Sequence, residues 1–335
     1  MLQRILVPLD GSVRAEYALP VAARLARAAG GTLILLRVYQ VMPSEFVLSD
    51  YAIEAAPATA YLERVAKRQE LAGIEIETIA LAGAIALTIL DAVLAYRADT
   101  IVLCSPGRSG PTRWALGSVV EKVVRRASVP VLVLREHAGL PPGLQPDTER
   151  PLRALVALDG SSFAEAALVP AAQMIRALAA PAPGALHLVQ VVQPSTNINE
   201  EYYEQVAVLD RVGSVQEQVL RHAQDYLRAV VERVRMSDLN GFKLQVTWSA
   251  VIAADVAATL IQLAEGVTES LIHLAESRED TEESIKADTA LIALASHGRG
   301  RLQHRELGSV AERVLEATEV PLLIVRPPRA ADKQE

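Results

Sequence analysis

The amino-acid sequence repeats itself, and the length of the repeat limits what the chain can fold into. Residues 4–12 (RILVPLDGS) recur as residues 153–161 (RALVALDGS), and the match continues from residues 15–19 to residues 164–168. The two copies lie about 150 residues apart, the size of a domain, whereas a solenoid repeats over about 20–50 residues. The sequence therefore predicts two similar domains on one chain.

The stretch between the two copies has the composition of a linker. Residues 139–147 (GLPPGLQPD) contain three prolines and two glycines. Such a composition favours a short and fairly stiff connection. We therefore predict a first domain at residues 1–138 (the first half), a linker at residues 139–150, and a second domain at residues 151–328 (the second half).

Within each half, short apolar runs alternate with helical patterns. In the first half we predict strands at residues 5–9, 33–39, 74–81, 100–105 and 131–134, and helices at residues 14–29, 58–71, 86–96 and 118–127. Apolar strands with helical crossovers indicate a parallel sheet covered by helices on both faces. The predicted fold class is α/β, with two doubly wound, Rossmann-like domains of five parallel strands each. In such domains ligands bind beyond the carboxyl ends of the strands.

The second half carries two additions to this pattern. Its helix after the second strand is longer, at residues 212–236, and a charged stretch occupies residues 276–286. Charged residues at helical spacing are typical of a solvent-exposed helix face. We therefore predict that residues 276–286 form a solvated helical excursion without a catalytic role.

Each half also contains a glycine-rich spacing between an apolar run and an amphipathic helix. The two copies are Cys104-x2-Gly107-x9-Gly117-Ser118 and Ala295-x2-Gly298-x9-Gly308-Ser309. Glycines at this place let backbone N–H groups approach a phosphate at the positive end of the helix dipole. The duplicated spacing therefore predicts two nucleotide-binding sites.

An aspartate at the end of the first strand of each half, Asp10 or Asp159, belongs to the same predicted edge of the sheet. Both halves also allow a purely structural interpretation. Ser118 and Ser309 are residue types that cap helices, and an Asp-Gly-Ser turn can hold its carboxylate by local N–H groups. Ligand binding and turn formation both remain open at these positions.

Composition excludes several classes of function. The net charge of −7 lacks the basic excess of a general nucleic-acid binder, so no nucleic-acid partner is expected. No apolar run reaches the roughly 18 residues of a membrane helix. Residues 6–10 already belong to the first strand, so we expect no signal peptide, and a single cysteine, Cys104, fits a cytoplasmic protein. The motifs of P-loop ATPases, α/β-hydrolases and Cys/His metal sites are absent from the sequence.

These residues resemble the universal stress protein family in its tandem form, over nearly the whole chain. The resemblance rests on the Asp-Gly-Ser turn, the glycine loops and the closing Val-Pro strands. The family signature is Gly-x2-Gly-x9-Gly-Ser/Thr, and its fold is related to that of the adenine-nucleotide α-hydrolases. The resemblance implies binding of ATP, or of ADP, AMP or cyclic AMP, with Mg²⁺ accompanying ATP.

Carried onto this chain, the resemblance implies two sets of nucleotide-binding residues. The phosphates would lie against the glycine loops, the ribose near the aspartates, and adenine near Val38 and Val191. In the first half the residues are Pro8, Leu9, Asp10, Val38, Leu103, Gly107, Arg108, Gly117, Ser118 and Val119. In the second half they are Ala157, Leu158, Asp159, Val191, Leu294, Ala295, Gly298, Arg299, Gly308, Ser309 and Val310.

Both halves depart from the signature at its first glycine, which is Cys104 in one and Ala295 in the other. The smaller alanine narrows the pocket less than the cysteine does. In addition, Pro106 removes an N–H donor from the first loop. The second site is therefore the better candidate.

The function implied is that of a stress-response nucleotide sensor or regulator with two pseudo-symmetric sites and an unnamed protein partner. The alternative is an interaction module of the same fold that binds no nucleotide. Because no residue is placed to activate water, we expect at most slow ATP hydrolysis; cleavage of ATP between its α and β phosphates is a third hypothesis. Family members commonly pair through their last strands, which here predicts an internal pseudo-dimer with residues 131–134 against 322–325, and leaves a further homodimer open.

Overall fold

The computed structural model describes residues 1–40, 47–105, 117–136, 152–194, 207–237, 244–266, 275–276, 288–297 and 307–327. The predicted linker at residues 139–150 lies outside the described residues.

The first half alternates strands and helices as predicted. Its elements are β1 (Arg4–Pro8), α1 (Val13–Glu16), α2 (Ala18–Ala29), β2 (Thr32–Tyr39), α3 (Val47–Ala66), β3 (Glu75–Ala82), α4 (Ile85–Ala95), β4 (Thr100–Ser105), α5 (Ser118–Arg126) and β5 (Val131–Arg135). A short 3₁₀ turn at Gln69–Leu71 follows α3. The predicted helix at residues 58–71 therefore begins earlier and ends at Ala66.

The second half repeats this order with one extra strand. Its elements are β6 (Leu152–Leu158), α6 (Ser162–Glu165), α7 (Leu168–Ala179), β7 (Ala185–Val192), α8 (Ala207–Met236), β8 (Gln245–Ile252), α9 (Val256–Ala264), β9 (Ala275–Glu276), β10 (Asp288–Ala295), α10 (Ser309–Ala317) and β11 (Leu322–Val325). The prediction of a helix was wrong at Glu276, which pairs antiparallel with β8. Residues 277–286 of that stretch lie outside the described residues.

The predicted helix at residues 14–29 is interrupted at Tyr17, and the same break separates α6 from α7. Pro20 and Pro170 each occupy the third position of the second helix. A proline lacks the N–H that would bond to the carbonyl four residues earlier, and its ring clashes with that carbonyl. The paired prolines therefore explain why both helices are broken at the same place.

The strands form a single sheet of eleven, in the order β3-β2-β1-β4-β5-β11-β10-β6-β7-β8-β9. Within each half the five predicted strands are parallel, in the order of a doubly wound domain. The two halves meet where β5 runs antiparallel to β11, with Leu132 opposite Leu323. The predicted pairing of the last strands is confirmed, and it protects two sheet edges at once.

Apolar side chains fill a layer on each face of the sheet. Along β2, Leu33 and Leu35 pack into the layer under α2, α3, α7 and α8, whereas Ile34 and Leu36 pack into the layer under α4, α5, α9 and α10. Successive residues of a strand point to opposite faces, so a sheet covered on both sides needs continuous apolar strands. This requirement explains the apolar runs in the sequence. In the described part of the chain, no helix is both long and apolar enough to cross a membrane.

The histidine His187 lies on β7, and its ring contacts two hydroxyl groups of the neighbouring strand β8. Its Nδ1 is 2.8 Å from the Thr247 hydroxyl oxygen and its Nε2 is 3.0 Å from the Ser249 hydroxyl oxygen. Burial of the ring, with the positive charge of Arg153 as a smaller cause, lowers the pKa of His187 to about 3. The folded protein therefore keeps this imidazole neutral in mildly acidic solution.

We expect His187 to make the protein less stable in acid. As the pH falls below about 6.5, the unfolded chain binds a proton at this residue that the folded chain does not, so stability is lost progressively down to the folded pKa. Between pH 7 and pH 5 the free energy of unfolding should fall by about 2 kcal/mol more in the wild type than in His187→Gln. Urea denaturation at both pH values measures this difference. The exposed His222, changed to Gln, is the control, and equal pH dependence in wild type and His187→Gln would contradict the prediction.

Candidate functional site

An Asp-Gly-Ser turn follows the first strand of each half and fixes its carboxylate at the carboxyl edge of the sheet. In the second half, Asp159 Oδ1 accepts hydrogen bonds from the Ser161 backbone N–H at 2.9 Å and from its hydroxyl at 2.6 Å. Asp10 holds Ser12 in the same way, at 2.8 and 2.5 Å. The serines in turn cap α1 and α6. These local hydrogen bonds agree with the interpretation of Asp10 and Asp159 as turn-forming residues. They also hold each carboxylate in a defined place.

The glycine of each Gly-Ser pair sits at the helix start, and Gly308 shows why. Its N–H donates to the Ser296 carbonyl oxygen at 2.8 Å, which ties the start of α10 to the end of β10. A Cβ added to Gly308 would lie 3.2 Å from that oxygen and 3.7 Å from the Cα of His297. A side chain at residue 308 would therefore force the helix start away from the strand.

Gly117 and Gly308 are themselves the N-cap residues of α5 and α10. The interpretation of Ser118 and Ser309 as helix caps is therefore wrong: each is the first residue inside its helix. Because a glycine has no side chain with which to cap, the first-turn N–H groups of α10 are left without an internal acceptor. Within the described residues, neither the N–H groups of residues 309–311 nor the Ser309 hydroxyl has a hydrogen-bond partner.

These groups open into a cleft of about 910 Å³, the second-half cleft, at the carboxyl ends of β6, β7 and β10. The first and last of these strands are neighbours on either side of the point where the strand order reverses, the usual ligand position in doubly wound domains. The predicted site residues that line it are Ala157, Leu158, Asp159, Val191, Leu294, Ala295, Gly308, Ser309 and Val310. Gly298 and Arg299 lie outside the described residues. The small side chain of Ala295, where the family signature has glycine, forms part of the cleft wall.

The first half places its predicted residues on equivalent elements. Pro8, Leu9 and Asp10 end β1 or follow it, and Val38 lies near the end of β2. Leu103 belongs to β4, and Gly117, Ser118 and Val119 open α5. Gly107 and Arg108 lie outside the described residues. The fold thus brings the described members of this set to one edge of the sheet, as it does in the second half.

Cys104, at the departure from the signature in the first half, is half-buried near the end of β4. Burial, with the nearby charge of Glu136 as a smaller cause, raises the pKa of the thiol to about 12. Reactive cysteines need an accessible thiolate. The environment of Cys104 therefore disfavours a redox role at neutral pH.

Sequence reasoning missed a three-residue cluster beside the cleft, of which one member, Tyr226, lines it. The hydroxyl of Tyr226 on α8 donates to Glu165 Oε1 at 3.1 Å, and Arg233 pairs with the same oxygen at 2.8 Å. Burial and the Glu165 charge both raise the pKa of Tyr226. These bonds attach α8 to α6, beside the Asp-Gly-Ser turn.

The first half has the same cluster. Tyr61 donates to Glu16 Oε1 at 2.8 Å, and Arg68 pairs with Glu16 Oε2. The signal was present in the sequence, because residues 61–68 (YLERVAKR) and 226–233 (YLRAVVER) share a tyrosine, leucine, valine and arginine at the same spacing. The repeat therefore includes the tyrosine, glutamate and arginine that join α3 to α1 in the first half and α8 to α6 in the second.

The end of β10 adds two polar residues to the cleft. The Ser296 N–H donates to the Val325 carbonyl oxygen at 2.7 Å, and the Ser296 hydroxyl lies 2.9 Å from His297 Nδ1. Both side chains line the cleft. Among the described residues, no three His, Cys, Asp or Glu side chains are grouped so as to hold a metal ion.

Comparison with known proteins agrees with this architecture. The sequence model of the Universal stress protein family matches residues 1–135 and again residues 152–326. The chain therefore belongs to the universal stress protein family and carries two family domains in tandem.

Individual relatives match one or both halves. A universal stress protein of Methanocaldococcus jannaschii is 30% identical over 144 residues, which cover 41% of this chain and 84% of the relative. One from Mycobacterium bovis is 28% identical over 237 residues, covering 70% of this chain and 63% of the relative. Among solved structures, a universal stress protein of Archaeoglobus fulgidus aligns over 97% of this chain and 99% of its own, with a TM-score of 0.62 and 21% identity. That likeness shows the fold.

Proposed function

We propose that the protein binds adenine nucleotides at two pseudo-symmetric sites and acts as a stress-response regulator. The observation that carries this proposal is the open helix start in the second-half cleft. There, the N–H groups of residues 309–311 and the Ser309 hydroxyl face a cleft that also holds Asp159. Unpaired N–H groups at the positive end of a helix dipole favour a phosphate.

The size and lining of the cleft support a nucleotide rather than a bare anion. Its volume of about 910 Å³ lies within the range of roughly 300–1,000 Å³ of sites for small organic ligands. The apolar residues Val191, Val256 and Leu260 line it beyond the helix start. A base could pack against these side chains while the phosphates lie at α10, with the ribose near Asp159.

Binding rather than turnover is the proposed activity. The carboxylate of Asp159 is the candidate general base in the cleft, but its Oδ1 already accepts two hydrogen bonds from Ser161. Mg²⁺, where it accompanies ATP, would be held largely by the phosphates of ATP. Proteins usually contribute only one or two carboxylates to such a site. Bound nucleotide would then act by shifting the population of conformations presented to a partner protein.

The test is to identify small molecules released when the purified protein is denatured, by mass spectrometry, and then to titrate ATP, ADP, AMP and cyclic AMP. We expect an adenine nucleotide at up to two per chain, or saturable binding of at least one of the four. An empty protein that ignores all four nucleotides would contradict the proposal and favour the interaction module that binds no nucleotide.

A further inference from the structure

In the described part of the chain, two side chains have a buried polar atom without a hydrogen-bond partner: those of Arg37 and Gln190. The atoms are Arg37 Nη1 and Gln190 Oε1. Buried polar atoms are almost always paired in folded proteins, so each exception calls for an explanation. Burying an amide without a partner costs free energy that the fold does not recover.

The two residues occupy the same position in the two halves. Arg37 lies on β2 opposite Ala80 of β3, and Gln190 lies on β7 opposite Ala250 of β8. Each directly precedes a valine that was predicted to lie near adenine. A buried polar atom without a partner therefore recurs at the same position of both halves, beside each predicted nucleotide site.

Gln190 is the more informative of the two because it is only 7% exposed and lines the second-half cleft. Its partner across the sheet toward β6 is Leu158, and Asp159 follows directly. A second glutamine of the cleft, Gln193, donates its amide to the Ala254 carbonyl oxygen at 2.9 Å. Of the two cleft glutamines, Gln193 has an internal partner and the oxygen of Gln190 has none.

We propose that Gln190 hydrogen-bonds the nucleoside part of the nucleotide in the second-half cleft; this inference rests on the proposed function. A carboxamide is neutral and offers both donors and an acceptor, which suits a ribose hydroxyl or the edge of a base. The phosphates belong at the other wall, where the N–H groups of α10 are open. The Oε1 of Gln190, which has no partner among the described residues, is thus the atom that a donor of the ligand would satisfy.

Arg37 makes the first half chemically different at this place. Its guanidinium packs against Gly11 and lies 4.9 Å from the centre of the Tyr61 ring. An arginine carries a fixed positive charge and only donors. The neutral amide at residue 190 therefore sets a ligand preference that the first half does not share.

Gln190→Met tests the proposal because methionine keeps the volume and removes the amide. Two effects are expected together. The melting temperature of the ligand-free protein should rise by about 2–4 °C, since an unpaired buried group is removed. In the second-half cleft, affinity should fall about tenfold, by the same factor for adenosine, AMP and ATP. Differential scanning calorimetry and isothermal titration calorimetry measure the two effects.

Gln193→Met is the matched control. Its amide already has a partner, so the melting temperature should stay level or fall. A lower melting temperature in Gln190→Met, unchanged affinity for all three ligands, or a loss confined to ATP would each overturn the inference while leaving the proposed function standing. A wild-type chain that binds none of the three would overturn the proposed function together with the nucleoside contact.

Discussion

The substitution Gly308→Val is expected to lower the affinity of the second-half cleft for ATP by at least about 100-fold. A β-carbon at this position meets the Ser296 carbonyl oxygen at 3.2 Å, and the two further methyl groups of valine add bulk beside it. The backbone of Gly308 has φ −63°, which valine tolerates, so the effect is steric rather than conformational. The start of α10 must move away from β10, and the N–H groups proposed to bind phosphate move with it.

Two milder variants separate displacement of the helix from loss of a single contact. Gly308→Ala needs a shift of only a few tenths of an ångström and should weaken binding several-fold. Ser309→Ala removes one hydroxyl and should cost about 1 kcal/mol of binding free energy, close to a fivefold loss. Calorimetric titration gives the affinities, and circular dichroism establishes that each variant is folded. A folded Gly308→Val protein that binds ATP as tightly as the wild type would remove α10 from the site.

Gly308→Val, compared with Gln190→Met, also tests the orientation of the nucleotide in the cleft. If the phosphates lie at α10, the loss caused by Gly308→Val should grow from adenosine to AMP to ATP. The loss caused by Gln190→Met should be the same for all three. Opposite dependence on the number of phosphates would place the nucleotide in the cleft the other way round.

Much of the fold could be predicted because the decisive signals are local or duplicated. The apolar run that became β2 was placed within one residue of its observed start, and the helix that became α4 within one residue at both ends. The pairing of β5 with β11 followed from family resemblance and is a long-range contact that neither strand reveals by itself. The alternation of apolar runs and helical patterns thus supplied the parallel sheet, the duplication supplied the two domains, and the resemblance supplied the pairing of β5 with β11.

The errors arose where a single residue or a distant partner outweighs the local pattern. Pro20 and Pro170 end α1 and α6 although the apolar spacing continues through them. Glu276 begins a charged stretch that is typical of an exposed helix, yet it pairs opposite Ser249 and therefore belongs to a strand. Gln190 is one of two polar residues in the apolar run of β7, and nothing in the sequence tells whether its amide oxygen finds a partner in the folded chain.

The contact between the two halves yields the largest expected effect on stability. The antiparallel pairing of β5 with β11, at residues 131–133 and 322–324, forms the seam between the halves. Leu323 lies in the middle of β11, is 0% exposed, and faces Leu132 of β5 across this seam. In Leu323→Glu a carboxylate would be buried there without a partner, and the apolar contacts of the leucine would be lost. We expect the free energy of unfolding to fall by more than about 4 kcal/mol, or the seam to open so that the charge reaches water.

An opened seam can be distinguished experimentally from a seam that is destabilised but intact. The freed edges of β5 and β11 would present unpaired N–H and C=O groups, so the variant should unfold in two transitions and associate at high concentration. Urea denaturation followed by circular dichroism, with light scattering for association, measures both effects. Leu94→Glu is the matched control, because Leu94 on α4 is 71% exposed and the same change there should alter stability by at most about 0.5 kcal/mol. If Leu323→Glu unfolded in one transition within about 1 kcal/mol of the wild type, the seam would not be what holds the two halves together.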